Sequence, residues 1–328
     1  MNATHFHTTT IAGAVLLTVS GLFSAGCTRN AATNRMQFDL LSTQDEIALG
    51  VEAMPALVKE YGGEVSAPEL REYVRNIGQS MAVTTEAENP QLPWEFTVLD
   101  SDVINAFALP GGKVFISRGL MDYMDNEAQL AATLGHEIGH VTAHHIDERL
   151  SQSMGAQLIG EIAGAAAGGS GWGQAVPYVV GAGGQAYLLK FGRDQERESD
   201  RLGLRYMTNV GYDPMGMAQM LQILVNVSGG ARQPEFLSTH PNPERRYKEA
   251  LELVESEYSH TQGSPDFDLH RERFERQARP YLKAPPAAVA WGMWWMNGNG
   301  QPPAILWCQH CRDEATAESS ALPGDIRR

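Results

Sequence analysis

The stretch that most constrains the fold of this chain is Leu134–Val141, which reads LGHEIGHV and contains H-E-x-x-H. In an α-helix each residue advances by about 100°, so His136 and His140 project from one face, one turn apart. Both imidazoles can therefore bind one metal ion. Glu137 is rotated by roughly a quarter turn and can reach only a water molecule on that ion. The spacing predicts a helix that carries two metal ligands and a general base.

The sequence around this motif favours a long helix over residues 125–153. An Asp-Asn pair can cap its start, apolar residues recur at helical spacing, and no proline interrupts the run. His144 would lie one turn beyond His140, but a third ligand there would lie too far along the axis to complete a tetrahedron. We therefore expect His144 and His145 to be structural or to support the ligands from behind.

A second helix, predicted over Gln185–Asn209, supplies a carboxylate. Glu196, Asp200 and Gly203 are spaced by four and three residues and so share one face. A carboxylate from a separate helix would complete a two-histidine zinc site and leave a fourth position for water, so Glu196 is the predicted third ligand. Asp200 is placed to accept the free ring N–H of a bound histidine, and Gly203 lets the helices approach closely. The alternative is a surface helix of alternating charges, with Glu198 on its solvated side.

Two predicted strands precede the H-E-x-x-H helix and form a hairpin. Asn105–Leu109 and Lys113–Ser117 flank the turn Pro110–Gly112, and Trp94–Leu99 is a further strand. An extended peptide can add to an exposed sheet edge through backbone hydrogen bonds, and Asn105–Leu109 is the candidate edge. The alternative is a hairpin that only covers the helix. The candidate substrate-binding residues are Asn105, Ala106, Phe107 and Ala108.

Further helices are predicted on both sides of the motif. Ser42–Glu46 resembles the capped start of one helix, and Pro68–Met81 forms another. Both are amphipathic, so we expect them to pack over the core. A third helix runs over Asp213–Val227. Asn242 is predicted to cap a last helix that begins at Pro243.

The beginning of the chain predicts export. Ile11–Gly26 is an apolar run that is too short to span a bilayer but suits a signal peptide. The small residues before Cys27 resemble a bacterial lipobox, which predicts lipidation of Cys27. Cleavage near Ala25, which would leave a soluble periplasmic protein, is the alternative. Thr28 is not Asp and, by resemblance to sorting rules, points to the outer membrane. Ala31–Thr43 is polar and is predicted to be a tether.

Composition excludes two classes of protein. The 328-residue chain has a net charge of −14 and no dense stripe of Lys and Arg, so nucleic acid is not an expected partner. No fixed-period repeat is present, which excludes a solenoid array.

Two segments have unusual composition. Gly155–Gly184 is rich in Gly and Ala and is predicted to be a mobile lid over the cleft or, alternatively, a surface insertion. Ala287–Cys311 holds four of the six tryptophans and is predicted to be an interfacial or a disordered tail. Within it, Cys308 and Cys311 form a small disulfide or are incidental.

The combined motifs resemble one family of enzymes. H-E-x-x-H, a later E-x-x-x-D, a preceding Asn-Ala-Phe-Ala and a following Ser-Thr-His-Pro resemble the zinc metallopeptidase family of the CAAX prenyl protease, in its secreted bacterial branch. The resemblance covers about Leu41–Glu257. It implies an α+β, mainly helical fold, with a zincin-like core and a small β-sheet packed on the H-E-x-x-H helix. It also implies one Zn²⁺ per chain, held by His136, His140 and Glu196, with Glu137 as the catalytic acid/base.

The resemblance also singles out a histidine in a later loop. His240 is expected near the zinc, where it either stabilises the oxyanion or occupies the water position in a latent state. Arg245 and Arg246 are nearby candidates for contacts to the substrate or the oxyanion.

These expectations combine into one hypothesis about function. The chain is expected to be a zinc endopeptidase of the periplasm, anchored to the outer membrane by lipid, that cleaves misfolded or misassembled envelope proteins and works beside the outer-membrane assembly machinery. The alternatives are a zinc-stabilised chaperone or assembly factor with latent or vestigial proteolysis, and a helical lipoprotein whose motif binds nothing. The predicted domains are a signal peptide (1–26), a lipidated Cys and tether (27–43), the peptidase domain (44–260) and an extension of unknown role (261–328).

Overall fold

A computed structural model describes residues 27–39, 41–86, 89–153, 190–228 and 234–283. Within these ranges, helices surround a small three-stranded sheet and a separate two-stranded hairpin. The predicted α+β, mainly helical fold class is confirmed. The predicted signal peptide, the possible lid over Gly155–Gly184 and the tail with Cys308 and Cys311 lie outside the described residues.

The regular elements follow each other in the order strand hairpin, two helices, sheet, and then helices. The strands are β1 (Cys27–Arg29), β2 (Met36–Phe38), β3 (Glu95–Leu99), β4 (Ala106–Leu109) and β5 (Lys113–Ser117). The helices are α1 (Thr43–Glu60), α2 (Pro68–Ala82), α3 (Arg118–Met121), α4 (Glu127–Thr142), α5 (Arg193–Asn209), α6 (Met215–Ser228), α7 (Phe236–Thr239), α8 (Pro243–Ser256) and α9 (Arg271–Gln277).

The sheet has the strand order β3-β5-β4, so the predicted hairpin places β4 at an edge. β3 runs parallel to β5, whereas β4 pairs with β5 antiparallel and in register from Ala106 with Ile116 to Leu109 with Lys113. Gly111 and Gly112 turn the chain between β4 and β5 with positive φ values of 71° and 83°. Glycine adopts these angles without the Cβ clash that other residues meet.

Helix α4, which carries the H-E-x-x-H motif, is the centre of the core. All of its residues are buried, and it contacts the sheet, α2, α5 and α6. Asn126 caps its start by accepting a hydrogen bond from the backbone N–H of Gln129. Outside the motif most of its residues are apolar or small, which suits a helix in such a buried position.

The predicted continuous helix over residues 125–153 is wrong, because α4 ends at Thr142. His144 has a φ of 54°, and a new helical segment follows over residues 145–153. His144 therefore does not continue the face of His140; its Nδ1 lies 3.1 Å from Oε1 of Glu46 in α1. This contact between remote segments helps to hold a backbone conformation that costs a non-glycine residue about 1 kcal/mol or more.

Three glycines bring α4 and α5 into close contact. A Cβ on Gly203 would lie 2.9 Å from the backbone N of His136 and 3.0 Å from the carbonyl C of Gly135. A Cβ on Gly139 would lie 3.0 Å from Cα of Ser199. The prediction that Gly203 permits close approach is confirmed, and the two backbones touch where the motif lies.

The predicted tether over Ala31–Thr43 is wrong where this range forms part of the hairpin of strands β1 and β2. Asn30 is buried, and its side-chain amide donates to the carbonyl of Thr142 at the end of α4 (2.9 Å). Arg35 lies 3.2 Å from both Glu148 and Glu198. The hairpin is thus part of the packed body.

Several predicted helix boundaries are confirmed and two are not. Ser42 forms the capping box of α1, and Pro68 and Pro243 begin their helices. Helix α5 begins at Arg193, because residues 190–192 are not helical. Asn242 stands at the cap position of α8, but it has a φ of 62° and its side chain makes no capping hydrogen bond.

The packed structure continues past residue 260, where the peptidase domain was predicted to end. Phe274 and Ala278 are fully buried in the same core as α4. The backbone N–H of Ala128, in the first turn of α4, donates to the carbonyl of Leu269 (3.1 Å). We infer that the domain extends at least to Lys283. Among the residues described above, no helix combines the length and the apolar character needed to cross a bilayer.

Candidate metal centre

Four side chains from three segments converge inside the molecule. His136 and His140 come from α4, Glu196 from the first turn of α5, and His240 from the loop between α7 and α8. One ligand atom of each lies within 4.8 Å of the others, and each residue is at most 2% exposed. The three predicted metal ligands therefore lie together, with His240 as a fourth donor.

The distances between these donors match a tetrahedral ion. Nε2 of His136 lies 3.1 Å from Nε2 of His140 and 3.2 Å from Nδ1 of His240. Oε1 of Glu196 lies 3.0 Å from Nδ1 of His240 and 3.5 Å from Nε2 of His140. Ligands at the usual zinc bond lengths, arranged tetrahedrally, are about 3.4 Å apart. The donors are thus close to the separation that such an ion requires.

The far ring nitrogens of both helical histidines face acceptors. Oδ1 of Asp200, one turn after Glu196, lies 3.0 Å from Nδ1 of His136. Because a carboxylate only accepts hydrogen bonds, Asp200 favours a ring proton on Nδ1 of His136, whereas Nη2 of Arg246, 3.2 Å from the same nitrogen, is a competing donor. Nε2 of His136 then presents a lone pair to the other donors.

His140 is held in the same tautomer by a chain of contacts. Nε2 of His145 lies 2.9 Å from Glu198 and donates to it, so Nδ1 of His145 is an acceptor. That Nδ1 lies 3.0 Å from Nδ1 of His140, which therefore carries the ring proton. Glu198, which was predicted to lie on a solvated face, is only partly exposed and also pairs with Arg35.

The two tautomers make the centre a fit for a cation. With protons on both Nδ1 atoms, the Nε2 lone pairs of His136 and His140 face each other at 3.1 Å. Neither can donate to the other, so the contact is repulsive unless a cation lies between them. Burial also lowers the pKa of His140 well below its usual value, which keeps the ring neutral and able to bind a metal.

Glu137 lies beside the donors but is not one of them. Its Oε1 is 3.7 Å from Nε2 of His240, and neither carboxylate oxygen has a hydrogen-bond partner among the described residues. Burial raises the pKa of Glu137 above its usual value. A buried carboxyl group without partners is suited to accept a proton from a water molecule placed at the centre.

Arg246 offsets the negative charge of this region. Its guanidinium donates to both oxygens of Asp200 (2.6 and 2.7 Å), and its Nη1 lies 2.5 Å from Oε2 of Glu196. Burial alone would raise the pKa of Glu196, but Arg246 and the nearby histidines hold it well below its usual value. Arg245 is exposed and pairs with Glu249 on its own helix, so it does not reach the centre.

Aromatic rings support the histidines. Phe191 stacks on His140 with ring centroids 3.8 Å apart, and Phe236 stacks on His240 at 4.2 Å. The backbone N–H of Phe191 donates to the carbonyl of Thr239 (3.0 Å), which ties the start of α5 to the His240 loop. Sequence reasoning missed Phe191, since it lies outside any periodic pattern.

The candidate substrate strand begins next to the His240 loop. The backbone N–H of Phe236 donates to the carbonyl of Ile104 (3.2 Å), directly before Asn105. The side-chain amide of Asn105 donates to Tyr61 (3.1 Å) and to Glu235 (3.3 Å), and the side chains of β4 are buried. Any contact between β4 and a peptide would therefore use backbone groups.

The backbone at the outer edge of β4 can be assigned from its pairing. The N–H of Ser117 donates to the carbonyl of Asn105, so this is a hydrogen-bonded pair. Because such pairs alternate in an antiparallel ladder, the backbone groups of Ala106 and Ala108 point away from β5. They form the edge at which a peptide could be added.

Comparison with known proteins assigns this arrangement to a family. The family described as Peptidase family M48 matches residues 68–254, more than half of the chain and including all four donors. The "Beta-barrel assembly-enhancing protease" of Escherichia coli K12 is 33% identical over 216 residues, which cover 64% of this chain and 44% of that protein. Its namesake in Yersinia pestis is 31% identical over 234 residues, covering 69% of this chain and 48% of that protein.

A mitochondrial protein is similar over a comparable region. The "Mitochondrial metalloendopeptidase OMA1" of Schizosaccharomyces pombe is 30% identical over 226 residues, covering 68% of this chain and 65% of that protein. The chain spans about half the length of the bacterial relatives, so the similarity concerns their shared peptidase region.

Proposed function

The chain belongs to peptidase family M48, and from this premise we propose that it is a zinc-dependent endopeptidase of the bacterial cell envelope that cleaves misfolded or misassembled envelope proteins. The predicted enzyme class, a metalloendopeptidase, is confirmed for the family region. The predicted resemblance to the CAAX prenyl protease itself is only distant. The observation that carries the proposal is the buried convergence of His136, His140 and Glu196 beside Glu137.

In this proposal, His136, His140 and Glu196 hold the zinc ion, and Asp200 and His145 fix the two histidine rings. A zinc ion bound there would supply Lewis acidity, which polarises a peptide carbonyl and makes a water molecule more acidic. Glu137 takes a proton from that water and gives it to the leaving amine. Its raised pKa favours uptake of the proton from that water, because the protonated carboxylic acid is less costly than the carboxylate in a buried site.

Substrate class is inferred from chemistry and from the relatives' names. A peptide that adds to the edge of β4 must be extended, so the enzyme should cleave unfolded rather than folded chains. The name of the bacterial relatives refers to assembly of β-barrels, which supports outer-membrane β-barrel precursors as the substrates. The assembly machinery for these proteins is the proposed partner.

Replacement of the base tests the activity. Glu137→Gln should retain the bound metal but lower the rate of cleavage by about two to four orders of magnitude, because it removes general base catalysis. The measurement is hydrolysis of a urea-unfolded outer-membrane β-barrel protein, with metal content determined by mass spectrometry. Glu244→Gln, an exposed change on α8, is the matched control and should be neutral. Unchanged cleavage by Glu137→Gln would remove Glu137 from the mechanism.

The alternative is a zinc-stabilised chaperone or assembly factor with latent proteolysis. It is favoured by the fourth donor, since a centre with four protein ligands is typical of structural zinc sites, whereas catalytic sites keep one position open. If Glu137→Gln restores growth of a deletion strain under envelope stress as well as the wild type does, this alternative is preferred.

We also propose the predicted export and anchoring. In the structure, strand β1 begins at Cys27 and leads directly into the docked hairpin. If Cys27 carries the lipid, the peptidase domain is held close to the membrane surface rather than at the end of a long tether. Incorporation of labelled palmitate that is lost in Cys27→Ala would support the anchor.

A further inference from the structure

A second group of possible metal ligands lies outside the centre described above. Asp39 follows β2, His144 lies at the break after α4, and Asp147 lies in the helical segment 145–153. One ligand atom of each lies within 4.8 Å of the other two. We call these three residues the Asp39 cluster.

A fourth residue orients the histidine of this cluster. Oε1 of Glu46, in the first turn of α1, lies 3.1 Å from Nδ1 of His144, and Glu46 is only 5% exposed. In the neutral ring, donation from Nδ1 to this carboxylate leaves the other ring nitrogen without a proton, so that nitrogen can bind a cation. A carboxylate behind a ligating histidine is a recurrent feature of metal sites in proteins.

Asp147 supplies the observation that points to a ligand. It is 1% exposed, and its Oδ1 accepts a hydrogen bond from the hydroxyl of Ser151 (3.0 Å). Its Oδ2 is buried and has no hydrogen-bond partner among the described residues. Buried carboxylate oxygens in folded proteins are almost always hydrogen-bonded or bound to a cation. The Oδ2 atom is therefore available to a ligand.

The charges around the cluster also favour a cation. Three carboxylates, Asp39, Glu46 and Asp147, surround one imidazole. Burial and the negative charges of Glu46 and Asp39 raise the pKa of Asp147 to about 7. Arg35, a cationic residue of the hairpin, pairs with Glu148 and Glu198. A divalent cation would remove the repulsion among the carboxylates and coordinate the free oxygen at the same time.

We propose that the Asp39 cluster binds a second divalent transition metal ion, through one ring nitrogen of His144 and carboxylate oxygens of Asp39 and Asp147. One nitrogen and several oxygens form a donor set that suits Zn²⁺, whereas Ca²⁺ and Mg²⁺ prefer oxygen ligands alone. The ion would fasten the segment after β2 to the segment that follows α4.

This position gives the second ion a structural role near the first. His145, directly after His144, bonds to His140 of the candidate metal centre. A cation on His144 and Asp147 would therefore brace the segment that orients His140. The second site does not depend on proteolysis, and it can exist whether or not the proposed activity is correct.

Counting bound metal ions tests the proposal. Full-length protein is loaded with Zn²⁺, separated from free metal by gel filtration and analysed by mass spectrometry. We expect about two ions per chain in the wild type and about one in Asp147→Asn. Asp194→Asn, an aspartate whose side chain is almost fully exposed on α5, is the matched control and should retain two.

A second variant shows whether a lower metal content of the first reflects loss of a ligand or misfolding. His144→Asn removes the imidazole but keeps a residue that tolerates the left-handed backbone found there, and it should also bind one ion. Near-ultraviolet circular dichroism would verify that the variants fold.

The complementary experiment removes ligands of the candidate metal centre. His140→Ala combined with Glu196→Gln should bind one ion if the Asp39 cluster binds metal, and none if it does not. Equal metal stoichiometry in the wild type and Asp147→Asn, or a double variant that binds no ion, would overturn the proposal. If the candidate metal centre binds no ion, the double variant should hold as many ions per chain as the wild type, whereas Asp147→Asn should still hold one fewer.

Discussion

At the scale of single residues, His240 is the fourth possible donor of the candidate metal centre. Its Nδ1 lies 3.0 Å from Glu196 and 3.2 Å from His136, in the place where water would complete a catalytic site. Burial alone would lower the pKa of His240, but the carboxylates of Glu196 and Glu137 raise it. The distances from Nδ1 to Glu196 and His136 support the latent state over a role in stabilising the oxyanion.

Removal of this side chain separates the two roles. His240→Ala should raise the rate of peptide cleavage per bound metal ion, because it opens the fourth position. The rate is measured with a quenched fluorescent peptide and divided by metal content, since the loss of a donor also weakens metal binding. His260→Ala, an exposed histidine, is the control. A lower rate in His240→Ala would instead assign His240 to stabilisation of the transition state.

Sequence spacing was sufficient to predict the residues whose positions follow from one helix. His136 and His140 share a face because they are four residues apart, and Glu196 and Asp200 share a face for the same reason. The roles of His145, Phe191 and Arg246 depend on which segments meet in the folded chain. The sequence predicted His145 as structural or as a support for the ligands, but no local pattern indicates that Arg246 pairs with both Glu196 and Asp200.

At the scale of elements, the contact between α4 and α5 sets the geometry of the centre. Gly203→Ala should lower the free energy of unfolding by about 1–3 kcal/mol, because the new methyl group would press on backbone atoms of Gly135 and His136. Urea unfolding of the metal-loaded protein measures the change. Gly192→Ala is the control, since its nearest neighbour is a flexible arginine side chain at 3.4 Å. Equal stability of the two variants would mean that the helices can separate without cost.

The extents of these helices were harder to predict than their existence. Residues 143–144 contain no Gly or Pro, so no helix-breaking residue predicts the break after Thr142. The break is set by tertiary contacts of His144 with Glu46 and of Asn30 with Thr142. Similarly, the polar composition of Ala31–Thr43 suggested a tether, although its neighbour Asn30 is anchored to the end of α4.

At the scale of the whole molecule, the residues after 260 complete the core. Phe274 is fully buried, and Arg273 pairs with Glu127 at the start of α4. Phe274→Ala should therefore lower the free energy of unfolding by about 3–5 kcal/mol. Tyr281→Ala, at a side chain that is 36% exposed, should cost about 0.5 kcal/mol or less. Thermal and urea unfolding of the full chain measure both. A small effect of Phe274→Ala would restore the boundary at residue 260.

The overall fold class could be predicted because hydrophobic periodicity and turn residues mark most helices and the hairpin. The domain end could not, since the segment from Ser264 to Lys283 is polar and short, and only one large apolar side chain in it is fully buried. The parallel pairing of β3 with β5 also required the structure, because it joins strands that are not consecutive.

The order of the four donors along the chain has a consequence for synthesis. When the ribosome has made the chain through α4, two histidines have emerged, but Glu196, His240 and Arg246 have not. The core around α4 is closed only after Phe274 has followed. A chain truncated before α5 therefore carries only two of the four donors and cannot assemble the candidate metal centre.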